Sequence, residues 1–373
     1  MHHPILRIYL TATAACGLLL SSASAQTTAT TDPVGAVSLS FLAESDTSLA
    51  LPFSRGISWE GQIASNGLSG FSVTVVGQDP FLDNQFTSEA HFMRVLTGEL
   101  KGMYFSVLSN SVDSLTVEDL GLGDLSEMGL AVGDEISVEK YWTLGSLFPK
   151  SSNFPESSDV FNPVALLFQT RTLLDGEPSS AGINLPLGKS YLYHDGSQGP
   201  EGWYEFGNHL DGLKNEKPLA PDNYVVIRNL TDSAVTLNVS GSVMDGSYAT
   251  ILTRIQEGER QDNYIGVTFP VNMSLNESGL ATSPAFNKSS DVFNPMDLVF
   301  VLKDDEPGQN KPFGKSYLYH DGSQGPEGWY EFGNHLDGLK GDVNVFQAGR
   351  GVVIRKAAIG GVGNGIWTAS PPY

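Results

Sequence analysis

GKSYLYHDGSQGPEGWYEFGNHLDGLK occupies residues 188–214 and recurs without a single change at residues 314–340. Two identical stretches of this length require two copies of one structural unit in the chain. Within each, residues 189–194 alternate, an eight-residue loop DGSQGPEG follows, and residues 203–206 alternate again. That pattern is a β-hairpin with a long glycine-rich loop. Pairing His194 with Trp203 places Tyr191, Tyr193, Tyr204 and Phe206 on one face. Leu192, His194, Trp203 and Glu205 then share the other. A slip of one residue would exchange the faces.

The repetition is wider than the hairpin. SSDVFNP occurs at 157–163 and 289–295, and VVIR at 225–228 and 352–355. Upstream, AVSLSFLAESDTSLALPF (36–53) is similar in pattern to ATILTRIQEGERQDNYIGVTFP (249–270): strand, acidic turn, strand, then proline near phenylalanine. Short alternating runs at 36–42, 57–63, 71–75, 103–108, 114–117, 136–142, 224–227 and 235–239 are separated by turn residues such as Asn66-Gly67 and Gly133-Asp134. Only 120–130 hints at a short helix. The expectation is an all-β chain: two duplicated β units, sandwich- or barrel-like, with a small β domain inserted in the first. Unit one takes residues 33–55 with 143–243, the insertion 56–142, and unit two 244–373.

Residues 1–25 read as a cleaved export signal. Arg7 precedes an apolar run, and Ala23-Ser24-Ala25 supplies a cleavage site before Gln26, with 26–32 as a linker. The apolar run is too short for a stable membrane anchor, and no later stretch is long enough for a transmembrane helix. The single cysteine, Cys16, falls within the signal, so the exported chain has no disulfide and depends on core packing. The expected location is periplasmic, cell-surface or secreted. A net charge of -21, spread along the chain, argues against nucleic acid and anionic membranes as partners.

No nucleophile elbow, zinc-protease helix or phosphate loop occurs, so no catalytic activity is evident. The candidate binding residues are His194, Trp203 and Glu205 with their repeats His320, Trp329 and Glu331. A tryptophan beside histidine and glutamate can stack on a sugar ring while the polar groups meet its hydroxyls. Asp195, Glu201, Asp321 and Glu327 are weak calcium candidates, being oxygen donors in a glycine-bearing loop. His209 and His335, the remaining histidines of the repeat, have no metal-ligand spacing.

TTDPVGAVSLSFLAESDTSLALPF, EKYWTLGSLFP, the GKSYLYHDG…GWYEFG hairpin, VVIRKA and the closing IWTASPPY together resemble the uncharacterised exported β-rich protein family of Verrucomicrobia and Planctomycetes. The resemblance implies no activity, cofactor or catalytic residue. It favours a structural role for Trp203 and Trp329, and the eight-residue loop departs from the shorter turn usual there. Two functions follow as expectations: an exported structural or surface-interaction protein, or a carbohydrate-binding protein that grips a neutral polysaccharide or other cell-surface component.

Overall fold

The computed structural model describes residues 33–150, 152–170, 182–358 and 364–373; the expected signal and linker lie outside them. The chain is almost entirely β. Its strands are β1 (Val34–Phe41), β2 (Ser45–Ala50), β3 (Ile57–Ser69), β4 (Ser72–Val75), β5 (His91–Val95), β6 (Tyr104–Asn110), β7 (Ser114–Val117) and β8 (Glu135–Lys140). Then come β9 (Trp142–Thr143), β10 (Ala165–Gln169), β11 (Ser190–His194), β12 (Gly202–Glu205), β13 (Pro218–Leu219), β14 (Tyr224–Asn229) and β15 (Val235–Ser242). The last nine are β16 (Tyr248–Leu252), β17 (Gln261–Gly266), β18 (Met273–Ser274), β19 (Leu298–Val301), β20 (Ser316–His320), β21 (Gly328–Glu331), β22 (Asn344–Phe346), β23 (Gly351–Lys356) and β24 (Gly365–Ala369). Among the described residues no helix is long and apolar enough to cross a membrane.

Two five-stranded sheets share one order. The first runs β12-β11-β10-β14-β2 and the second β21-β20-β19-β23-β17. Each is accompanied by a two-stranded ladder, β1 with β15 and β16 with β24, and by a small pair, β9 with β13 and β18 with β22. Period-two alternation explains how the ladder covers the sheet: Leu39 and Phe41 of β1, with Leu237 and Val239 of β15, turn inward onto Leu49, Tyr191, Trp203 and Ile227. Between β2 and β9, strands β3 to β8 close a six-stranded barrel with its own core of Ile63, Val73, Met93, Phe105, Leu115, Ile136 and Val138.

The parts are tied by polar links as well as by packing. Asp222 accepts hydrogen bonds from Tyr104 Oη of the barrel at 2.7 Å and from Thr250 Oγ1 of the second copy at 2.5 Å. The two copies also clamp each other reciprocally. Asp46 receives Arg228 at 2.7 Å and the backbone N–H of Asn310 at 2.7 Å, while Arg228 reaches Asn310 Oδ1 at 2.9 Å. In the counterpart, Asp262 receives Arg355 at 2.7 Å and the N–H of Asn184 at 2.8 Å, while Arg355 reaches Asn184 Oδ1 at 3.0 Å. Each copy thus lends one asparagine to the other's Asp–Arg pair. Both asparagines are left-handed, a conformation asparagine tolerates better than most side chains. Where the sheets meet, Tyr224 lies edge-on to Tyr264 with ring centres 5.9 Å apart. Gly351 makes room for this, since a Cβ there would lie 2.2 Å from the Tyr224 ring.

Candidate functional site

The hairpin closes one residue earlier than the alternation suggested. His194 pairs with Gly202, Tyr193 with Trp203, Leu192 with Tyr204 and Tyr191 with Glu205. The second copy has the same register, with Tyr319 opposite Trp329 and His320 opposite Gly328. The cause is tertiary. Gly202 and Gly328 sit at φ +140 and +148, where a Cβ would lie 3.0 and 2.8 Å from the Leu213 and Leu339 side chains, while Lys214 and Lys340 donate their N–H groups to Trp203 O and Trp329 O at 2.7 and 2.8 Å. Glycine is the residue that fits such a position.

The slip moves Trp203 to the core side. Its ring packs against Phe154, Phe148 and Tyr193 with centres 4.9, 5.8 and 5.7 Å away, and Nε1 donates to Phe148 O at 3.3 Å. Trp329 packs on Phe286 and Tyr319, each 5.4 Å away. Both indoles are fully buried, so neither offers a face to a sugar. That corrects the expected Trp/His/Glu surface: Tyr204 and Tyr330, not the tryptophans, share a face with His194 and His320. Glu205 and Glu331 lie at the strand ends beside Lys189 and Lys315, at 3.8 and 3.0 Å.

The loop acids are likewise committed. Asp195 Oδ1 accepts the Ser197 N–H at 2.8 Å and Asp321 Oδ1 that of Ser323 at 2.9 Å, an aspartate turn in each copy. Bonds from that serine hold both carboxyls below the usual carboxylate range. Glu201 is bonded by Lys150 at 2.6 Å and Tyr193 Oη at 2.8 Å, and these lower its pKa in that order. Glu327 is held by Lys288 and Tyr319, each at 3.1 Å. Burial, and then the Glu201 carboxylate, push the Tyr193 phenol up to about 12. The four calcium candidates therefore lie in two turn-and-tether arrangements. Among the described residues no group of three His, Cys, Asp or Glu is arranged to hold a metal ion.

His194 and His320 are 2% exposed, beneath the loop rather than on a surface. Each Nδ1 accepts a loop N–H, from Gly196 at 3.1 Å and from Gly322 at 3.2 Å. The rings stand edge-on to Tyr204 and Tyr330, whose hydroxyls donate to Pro200 O at 2.8 Å and Pro326 O at 2.9 Å. The loop is pinned at both ends.

What each copy does expose is an apolar patch that the sequence reading passed over. The DVFNP turn lifts Phe161 and Phe293 into solvent at 69% exposure each, and Leu210 and Leu336 stand out at 90%. Phe161 meets His209 edge-on at 4.9 Å, and Phe293 meets His335 at 4.7 Å. The turn that presents the phenylalanine is built. Asp159 Oδ1 accepts the Phe161 N–H at 2.8 Å and Oδ2 the Asn162 amide at 2.6 Å; Asp291 does the same for Phe293 and Asn294 at 2.8 and 2.6 Å. These bonds lower both aspartate pKa values.

The chain matches no family model, no curated protein and no solved structure.

The patch draws on two identical blocks, SSDVFNP and the 27-residue repeat. Between them residues 164–187 and 296–313 differ in both length and sequence. Duplicate identity therefore extends to the Phe161 turn without running through the segment in between.

Proposed function

We propose that this chain is an exported structural or surface-interaction protein without catalytic activity, and that it makes contact through its two equivalent Phe–His–Leu patches. The observation that carries this reading is the 90% exposure of Leu210 and Leu336, each next in sequence to a histidine that meets a phenylalanine exposed at 69%. A leucine on a surface is ordinary; an exposed phenylalanine on a built turn, edge-on to a histidine whose next residue is an exposed leucine, twice, is a combination of the kind that marks contact sites. The reciprocal Asp–Arg–Asn clamps suit a scaffold that holds both patches in fixed relation, so that two weak contacts add as avidity. The resemblance to exported proteins of Verrucomicrobia and Planctomycetes and the leader-like residues 1–25 support the exported part of the reading.

A second reading, carbohydrate binding, moves from the tryptophans to these patches. The Phe161–His209 pair offers an aromatic edge for sugar C–H groups, with Asn162 and Asp211 nearby in sequence as hydroxyl partners. A neutral polymer is favoured by the charge of -21, which repels acidic ones. Binding of the full chain to neutral glycans and to isolated cell envelope, compared with Phe161→Ser/Phe293→Ser, tests both. Envelope binding lost in the variant, without glycan binding, supports the first reading. Glycan binding lost in the variant supports the second. Binding unaffected by the substitutions places the contact elsewhere.

A further inference from the structure

The loop bonded to each patch turn rests on a histidine whose Nδ1 acts as an acceptor. Gly196 and Gly322 donate their N–H groups to that nitrogen, which can accept only when it carries no proton. The same loop supports the patch turn. Asp195 N donates to Ser157 O at 3.1 Å, Ser197 Oγ to Ser158 O at 3.3 Å, and Ser157 N to Tyr193 O at 2.8 Å. Copy two repeats these links through Asp321, Ser323, Ser289 and Ser290 at 2.9, 3.1 and 2.7 Å.

We infer that His194 and His320 make the two patches acid-sensitive: a proton on Nδ1 removes the acceptor for the Gly196 and Gly322 amides and loosens the loop on which the Phe161 and Phe293 turns rest. This rests on the patches being the contact surface. Histidine changes charge between about pH 5 and about pH 8, within the range an exported protein meets. The carboxylates near each ring are Asp159 and Asp195 at His194, and Asp291 and Asp321 at His320. Tyr204 and Tyr330 meet the rings in T-shaped geometry. A charged His194 would also draw on Asp159, whose carboxylate holds the Phe161 N–H. In copy two a protonated Nδ1 has an acceptor waiting, Pro326 O at 3.3 Å, at the opposite end of the loop.

The test is amide exchange at Gly196 and Gly322 in the full exported chain, read by NMR at about pH 7.5 and about pH 5.5 and corrected for intrinsic exchange. Loss of one hydrogen bond predicts a drop in protection of about fivefold, in step with His194 and His320 ring titration and with shifts of the Phe161 and Phe293 ring signals. His194→Asn/His320→Asn places an oxygen where Nδ1 stood and cannot titrate, so protection there should be independent of pH. If that variant does not fold, the wild-type titration decides alone. Constant protection across the range, rings that do not titrate, or phenylalanine signals that stay fixed while the loop opens would each overturn the inference. No ligand is involved, so the result is separate from whether the patches bind.

Discussion

Trp203 and Trp329 occupy equivalent positions in identical sequence, yet their indole nitrogens differ. Trp203 Nε1 donates to Phe148 O at 3.3 Å; Trp329 Nε1 is buried with no hydrogen-bond partner among the described residues. Replacing each by phenylalanine removes the same apolar volume from similar aromatic surroundings, so the cavity costs nearly cancel in the comparison. In copy one the change forfeits a hydrogen bond, about 1 kcal/mol, and strands Phe148 O. In copy two it removes a desolvated donor whose burial costs about 1–3 kcal/mol. Trp203→Phe should therefore destabilise the chain by about 2–4 kcal/mol more than Trp329→Phe. Urea unfolding followed by near-ultraviolet circular dichroism measures both, provided the dependence on denaturant is the same in the two variants. Equal losses, or a larger loss for Trp329→Phe, would refute the assignment of the two nitrogens.

Other consequences can be checked alongside. Gly202→Ala places a Cβ against Asn215 at positive φ and should cost about 1–3 kcal/mol in thermal or urea unfolding; a neutral outcome would mean the hairpin closes elsewhere. Asp262→Ala leaves Arg355 without its buried partner, and should cost about 3–5 kcal/mol against a smaller loss for the more exposed Asp46→Ala. Tyr193 and Tyr264, both raised from 10.0 to about 12, keep their protons in the fold longer than in the unfolded chain. Their stabilising effect is thus complete below pH 10 and is lost as pH climbs towards 12, which a pH series of melting temperatures will show. Phe161→Ser and Phe293→Ser should alter stability by less than about 0.5 kcal/mol, as expected for exposed side chains; a larger loss would mean the patch is part of the core.

The all-β class was legible because period-two alternation and turn residues mark strands locally, as at 114–117 and 235–239. The face assignment of the hairpin was not. Alternation tells which residues share a strand face but not which partner lies opposite, and the feature both copies share is a positive-φ glycine, Gly202 or Gly328, closed over by Leu213 or Leu339. His194 accordingly lost Trp203 as its neighbour and gained Tyr204. The exposed patch was hidden for a different reason. Leu210 in a short HLD turn reads like any core leucine, and SSDVFNP served only to mark the repeat. The available signal was an Asp-x-Phe-Asn-Pro turn kept in both copies, with a phenylalanine where a turn residue would be polar.

We propose the paired patches as the contact surface. Sedimentation binding of the full chain to isolated cell envelope and to insoluble neutral polysaccharide tests this, set against Phe161→Ser/Leu210→Ser, Phe293→Ser/Leu336→Ser and all four substitutions together. Either pair should weaken binding by the avidity factor, roughly 10²–10⁴, and all four together should abolish it while the melting temperature holds. Wild-type binding that survives all four substitutions would contradict it.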